Sequence, residues 1–276
     1  MKCFAPAKIN LALDIVKKRS DGYHELCMIM QTISLYDEIE TEKSDKTEVW
    51  CNKEDIPTDE RNLAYKAALE FFKYTGLKGG CKISLKKVIP DGAGLGGGSS
   101  DAAEVILSLN KLYETNLSET EMKEIAVKIG ADVPFFITKG TCVAKGIGEI
   151  LTKTENKLKG TVLICKPDFS ISTKQSYKNF DISKKKIYNF KEVQKAVESG
   201  DILSYKKYKF NVLEDAVAKD YPEIETVKNI MYKSGCDAAM MTGSGSAVFG
   251  IFKEKTDAEK AAGDLKNYEC FLTNFI

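Results

Sequence analysis

The residues best equipped for chemistry lie in Pro90-Asp91-Gly92-Ala93-Gly94-Leu95-Gly96-Gly97-Gly98-Ser99-Ser100-Asp101-Ala102-Ala103, where five glycines fall within seven positions. Glycine loses the most backbone freedom on folding, so such a cluster is costly unless backbone must come close to a ligand. A loop that enters a helix amino end aims free N–H groups and the positive end of the helix dipole at one point, which suits phosphate oxygens. Ser99, Ser100 and Asp101 can cap that helix, and Ala102, Ala103, Val105, Ile106 and Leu109 supply its packing face. The loop is not of the Walker type, because no lysine follows its glycines. It does spell Gly92-x-Gly94-x-x-Gly97, the dinucleotide fingerprint by letters. The second strand of a βαβ unit is missing, however, since another helix signal begins at Ser118. That leaves a nicotinamide oxidoreductase as a competitor by spelling alone.

Three further groups have the right chemistry. Lys8 and Asn10 alternate with Ile9, Leu11 and Leu13, so on a strand they share one face, ~6.6–6.8 Å apart. An ammonium and an amide side by side suit a hydroxyl with neighbouring phosphate oxygens. Asp132, in Gly130-Ala131-Asp132-Val133-Pro134-Phe135-Phe136, reads either as a helix N-cap ahead of Pro134 or as a carboxylate tuned by apolar neighbours to act as a general base. Thr242-Gly243-Ser244-Gly245-Ser246 is a small-residue loop between apolar strands, either a hairpin turn or a ligand loop. A serine hydrolase fails, because its base would have to be His24 and no G-x-S-x-G elbow exists. A retaining glycosidase needs two placed carboxylates, and no pair stands out among the 40 acidic residues.

The elements that must position these groups follow from periodicity. Ile9–Ile15 alternates as a strand, Lys17–Gly22 is a polar turn, and strands are expected at Met28–Ile33, Glu38–Glu42 and Glu48–Cys51. A helix over Arg61–Tyr74 should stop at Gly76; Lys82–Ile89 reads as a strand, Pro90–Gly98 as a loop and Ser99–Tyr113 as a helix. Ser118-Glu119-Thr120-Glu121 spells a capping box for a helix that Gly130 closes. Strands at Thr141–Lys145 and Thr161–Cys165 flank a polar connector, Lys153–Lys159, which is the expected domain boundary. Helices are expected at Phe190–Ser199, Val212–Lys219 and Glu223–Lys233. Strands at Ala238–Met241 and Ala247–Phe252, a helix at Thr256–Leu265 and a strand at Tyr268–Asn274 complete the pattern. It describes two α+β domains without regular βαβ alternation.

Composition removes whole classes of function. With 276 residues, 43 % apolar and 29 % charged, the chain can bury a core and is not disordered. Its 41 basic and 40 acidic residues leave a net charge of +1, no field for nucleic acid or an anionic membrane. Arg19 and Arg61 are the only arginines, and the lysine groups Lys184–Lys186 and Lys206–Lys209 read as solvated faces. No apolar run approaches the ~18–20 residues of a membrane span, and the amino end does not read as a secretory signal. Eight scattered cysteines without a C-x-x-C pair, and one histidine, exclude a zinc site of the usual spacing and argue against a disulfide framework. The expectation is a reduced, cytoplasmic protein without nucleic-acid or membrane partners, a monomer or weak homodimer.

Pro6-Ala7-Lys8-Ile9-Asn10-Leu11 with Asp21-Gly22-Tyr23-His24-Glu25-Leu26, the Pro90–Ala103 loop, Gly130–Pro134 with Gly146-Ile147-Gly148-Glu149, and Thr242-Gly243-Ser244-Gly245 occur here in one order. Together they resemble the motifs of the GHMP family of small-molecule kinases. The triple glycine is similar to that of the member acting on a cytidine-diphosphate derivative of methylerythritol in the non-mevalonate isoprenoid route. The resemblance runs through most of residues 3–150, weakens over 180–235 and returns at 238–252. It implies a two-domain α+β fold. Residues 1–155 would form an ATP-binding, catalytic domain like the second domain of ribosomal protein S5, and residues 156–276 a ferredoxin-like domain.

It further implies that ATP, accompanied by Mg2+ on ligands the motifs do not assign, rests its phosphates on Pro90, Asp91, Gly92, Ala93, Gly94, Leu95, Gly96, Gly97, Gly98, Ser99 and Ser100. Asp132 would take the proton of the substrate's 2-hydroxyl and Lys8 would orient that hydroxyl. Asn10, Tyr23, His24, Tyr177, Gly243, Ser244 and Gly245 would bind the small-molecule cytidine-diphosphate substrate, with aromatic rings on the cytosine. Asp91 departs from the family's small or apolar residue and is expected to point away from the phosphates. The competing readings are another GHMP kinase, acting on homoserine or a mevalonate-like alcohol, and a non-catalytic domain that binds RNA or a partner. The absence of basic excess weighs against the latter.

Overall fold

The protein, a computed structural model, is described over all of residues 1–276. The chain opens with two long strands, β1 (Lys2–Lys18) and β2 (His24–Ser44), then β3 (Glu48–Cys51), α1 (Leu63–Thr75) and β4 (Gly80–Lys86). Three helices follow, α2 (Gly97–Leu112), α3 (Glu119–Val127) and α4 (Val133–Thr138), then β5 (Thr141–Gly146), β6 (Ile150–Thr154) and β7 (Thr161–Lys166). A helical stretch comes next: α5 (Thr173–Asn179), a 3-10 turn at Ile182–Lys184, α6 (Phe190–Ser199), α7 (Ile202–Tyr208), α8 (Val212–Val217) and α9 (Glu223–Lys233). The last elements are β8 (Ala238–Met241), β9 (Val248–Phe252), α10 (Lys255–Asp264) and β10 (Glu269–Thr273).

Local chemistry accounts for the helix ends. The Asn62 side chain accepts from Ala64 N–H at 2.8 Å to start α1, and Gly76 at φ 70° ends it in the left-handed region. The capping box of α3 is present in full, with Ser118 accepting from Glu121 N–H and Glu121 from Ser118 N–H. Three expectations need correction. Met28–Ile33 and Glu38–Glu42 belong to one strand, β2. The helix after the glycine loop begins at Gly97, with Gly96 at its N-cap, so Ser99, Ser100 and Asp101 lie inside it and do not cap it. Lys153 and Thr154 belong to β6, because Gly146–Glu149 makes a tight turn that pairs Lys145 with Ile150. In that turn Glu149 accepts from Ile147 N–H at 2.7 Å.

The chain forms two compact units, each built from three pieces. One comprises Met1–Ala7, Leu35–Pro90 and Gly96–Lys139; the other comprises Lys8–Ser34, Asp91–Leu95 and Gly140–Ile276. The expected cut at 155/156 falls within the second. In the first unit, β2 pairs antiparallel with β4 from Glu38↔Lys86 to Ser44↔Gly80, and β3 lies parallel to β4. Helices α1, α2, α3 and α4 pack on one another through side chains such as Phe71, Ile106, Leu109, Ile125 and Phe136, all fully buried.

In the second unit, β2 pairs antiparallel with β5 from Leu26↔Gly146 to Gln31↔Thr141, and β5 with β6. The second sheet of this unit has strand order β10-β7-β9-β8, every pair antiparallel. With a helical crossover between β7 and β8 and α10 between β9 and β10, this is the β-α-β-β-α-β ferredoxin-like order expected from the resemblance. Helices α5 to α9 enlarge its first crossover.

Candidate active site

Lys8 sits in β1 with both strand faces covered, and it is only 4 % exposed, so it is not a surface lysine. A buried ammonium needs partners. Its Nζ donates to Asn10 Oδ1 and to the Gly94 carbonyl, each at 2.7 Å, and its backbone N–H donates to Leu95 O at 2.9 Å. Asn10 N–H donates in turn to Thr242 Oγ1 at 3.0 Å. Within the second unit the structure therefore joins three segments that are far apart in sequence: the first strand, the glycine-rich stretch and the Thr242 loop. Asn10 serves here as an acceptor that orients the Lys8 ammonium.

Glycine is required where the last two segments meet. At Gly94, φ +76°, an added Cβ would collide with the Thr242 carbonyl. At Gly243, φ +57°, it would lie 3.0 Å from Gly94 O and 3.2 Å from Lys8 Nζ. Ala247 N–H also donates to Ala93 O at 3.2 Å. The Thr242–Ser246 loop connects β8 to β9 with Met241 paired to Val248, so it is a hairpin connection and also the partner of the glycine stretch.

The aromatic residues occupy a second position in the same unit. His24, the first residue of β2, stacks on Tyr177 of α5 with ring centroids 5.2 Å apart and planes 23° apart. Burial, with Lys18 adding to it, lowers the His24 pKa, so the ring is neutral at pH 7. Tyr23 is 61 % exposed. Its N–H donates to Asp21 Oδ1 at 3.1 Å, in a turn braced by the Arg19–Asp21 ion pair. Helix α5 was missed by sequence reasoning, yet it holds Tyr177 in place: the neighbouring Ser176 is fully buried and donates to Ser244 O at 2.9 Å. Thr173 Oγ1 and Ser244 Oγ lie 3.1 Å apart.

Asn211 was also missed. It is buried, donates to Met241 O and Gly243 O at 2.9 Å each, and accepts from Leu213 N–H at 3.0 Å to cap α8. Its one legible signal was an N-cap residue ahead of the Val212 helix.

The glycine-rich stretch changes unit twice: Pro90 and Gly96–Ser100 belong to the first unit, Asp91–Leu95 to the second. Gly96 at φ 73° enters α2 without a side-chain cap, and Gly97 and Gly98 carry no Cβ over the first turn. That helix amino end therefore keeps its leading N–H groups unblocked. Asp91 is exposed. Asp132, in the first unit, occupies the N-cap position of α4 but is in the αR conformation and makes no capping hydrogen bond. The cap reading thus holds for the position and fails for the side chain, whose carboxylate is not engaged by α4. Val133, Phe135 and Phe136 beside it are fully buried.

The model of the GHMP kinases N-terminal domain matches residues 62–140, and that of the GHMP kinases C-terminal domain matches residues 190–269. The chain is 47 % identical over 286 aligned residues to the 4-diphosphocytidyl-2-C-methyl-D-erythritol kinase of Clostridium perfringens, covering 100 % of this chain and 98 % of that one. The chain belongs to the GHMP kinases. The enzyme of the same name from Caldicellulosiruptor saccharolyticus is 48 % identical to this GHMP kinase, with 98 % and 94 % covered. The crystal structure of a 4-(cytidine 5'-diphospho)-2C-methyl-D-erythritol kinase superposes on it with a TM-score of 0.85 at 32 % identity, with 100 % and 99 % covered. The α+β GHMP fold expected from the motifs is therefore the fold of this chain. No helix is long and apolar enough to cross a membrane.

Proposed function

We propose that this GHMP kinase transfers the γ-phosphoryl group of ATP to the 2-hydroxyl of 4-diphosphocytidyl-2-C-methyl-D-erythritol, a step of the non-mevalonate isoprenoid route. Relatives that match it over nearly their whole length bear that enzyme's name. The single geometric observation that carries the reading is the buried Lys8 ammonium held on the Gly94 carbonyl of the glycine-rich stretch.

Phosphoryl transfer demands positioning and charge stabilisation more than covalent help. In this reading, Asp132 accepts the proton of the 2-hydroxyl as that oxygen attacks the γ-phosphorus and the bond to the β-phosphate oxygen breaks. Lys8, fixed by Asn10, orients the hydroxyl and offsets the negative charge that develops. The N–H groups at the start of α2 and the loop from Pro90 to Ser100 receive the triphosphate. His24, Tyr177 and Tyr23 hold the cytosine by stacking and edge hydrogen bonds, which favours a pyrimidine nucleotide over a bare alcohol. Gly243, Ser244 and Gly245 line the substrate side.

Ser100 Oγ, buried and without a hydrogen-bond partner in the first turns of α2, is an oxygen donor of the kind Mg2+ accepts beside phosphate oxygens. Bound there, Mg2+ would neutralise triphosphate charge.

ADP release measured with the cytidyl alcohol, homoserine and mevalonate tests the reading; turnover confined to either of the other alcohols would refute it. Asp132→Asn should lower turnover by at least ~10²-fold while ATP binding stays close to that of the parent. Near-normal turnover would remove Asp132 from the role of base.

A further inference from the structure

The first unit contains a buried charge cluster that the family motifs leave without a role. Lys87 follows the last residue of β4, Asp37 lies in β2 and Asp101 in α2; their side chains are 5 %, 0 % and 4 % exposed. Lys87 Nζ donates to Asp37 Oδ2 and, at 2.6 Å, to Asp101 Oδ2. The other Asp37 oxygen accepts from Val88 N–H at 2.6 Å and Ile89 N–H at 2.8 Å. One carboxylate therefore grips the backbone that enters the glycine-rich loop, and the lysine ties that grip to the helix that leaves it. The first turn of this helix fits tightly over the cluster: a Cβ on Gly97 would lie 3.2 Å from Lys87 Nζ and 3.1 Å from Ile89 Cγ2.

Apolar residues of equal volume would stabilise such a spot as well as ions do. What charged groups add is direction: both Asp37 oxygens and Asp101 Oδ2 meet particular donors, and only Asp101 Oδ1 is left without one. Burial pushes the Asp101 carboxyl up to about 7, with Lys87 pulling it back. Burial also opposes the charge on Lys87, but the two carboxylates outweigh it and the ammonium is retained.

We propose that Asp37, Lys87 and Asp101 are positioning residues, an ionic clamp that sets the spacing of the two stems of the glycine-rich loop and so preorganises its N–H groups for nucleotide phosphates. The proposal rests on the reading of that loop as the ATP site. None of the three residues is asked to touch the reacting atoms.

Asp37→Asn is the decisive variant, because a single amide oxygen cannot serve Lys87 and both backbone N–H groups together. Hydrogen exchange of the nucleotide-free variant should accelerate about tenfold or more across residues 88–100 and remain unchanged in β7 and β9. The KM for ATP with magnesium should rise about tenfold, while kcat and the KM for the cytidyl alcohol change by less than about threefold. Asp101→Asn leaves the Asp37 grip intact and should act in the same direction with smaller size; it decides the matter if Asp37→Asn does not fold. Unchanged exchange over residues 88–100 in a folded variant would overturn the clamp. So would a fall in kcat with both KM values unchanged, which reports only a smaller folded fraction. Faster exchange with an unchanged KM for ATP would uphold the clamp on the stems in the parent but overturn the assignment of the loop to nucleotide.

Discussion

The glycine-rich stretch after β4 and the Thr242–Ser246 loop after β8 each hold backbone in a tight approach, and they are braced in different ways. The stems of the first are fixed by three buried charges, Asp37, Lys87 and Asp101. The second is fixed by neutral groups: Asn211 on the Met241 and Gly243 carbonyls, Ser176 on Ser244 O, and Ser246 Oγ donating to Phe169 O at 2.6 Å. A neutral donor that is lost leaves carbonyls short of a partner, whereas a lost ion leaves an uncompensated charge in a dry interior. The two braces should therefore fail by different amounts.

Lys87→Met offers the largest contrast. It removes the cation that both buried acidic side chains face, leaving Asp37 without its charge partner and Asp101 free to protonate, and should cost about 3–5 kcal/mol in urea unfolding. A loss below about 1 kcal/mol, the level of an exposed pair, would show that the cluster is not an ionic brace. Asn211→Ala should cost less, about 1–3 kcal/mol by the same measurement, because it removes one donor group from two buried carbonyls. If it cost more than Lys87→Met, the contrast would be reversed.

The smallest effect concerns His24. Its folded-state pKa lies below the unfolded value, so its contribution to stability is present above pH ~6.5 and is lost as pH falls through the folded value. In the cytosine-binding reading, the KM for the cytidyl alcohol should rise about twofold to fivefold at acid pH as the ring becomes charged near Lys18. His24→Gln should flatten that profile; an unchanged profile in the variant would assign the titration to another group.

Two helices and two four-residue strands were legible in the sequence without error at their ends. Phe190–Ser199, Glu223–Lys233, Ala238–Met241 and Glu48–Cys51 were placed to the residue, because periodicity and punctuation agree there. The start of α2 was placed two residues late, since Ser99 and Ser100 outrank glycine as caps by side-chain chemistry and only the loop geometry selects Gly96. Helices α5 and α7, seven residues each, are too short and polar to raise a periodic signal.

At the site, Lys8 and Gly94 could be suspected as parts of motifs, and the resemblance named His24 and Tyr177 as cytosine-side residues, but it gave no sign that their two rings stack on each other. Lys87 and Asp37 could not be singled out from the sequence. One lysine among so many carries no mark until burial removes its alternatives, and its two partners lie 50 and 14 residues away.

The order in which the chain is made interacts with its division into units. Every piece of the first unit has been synthesised by Lys139, whereas the second includes Ser34 N–H donating to Asn274 O and the Gln31 and Thr32 side chains donating to Ile276 O. Contacts that close 240 or more residues of chain are slow to form. On the ribosome, the bonds that Gln31, Thr32 and Ser34 make to the end of the chain must therefore wait until Asn274 and Ile276 have been made, a window in which chaperones would find their substrate.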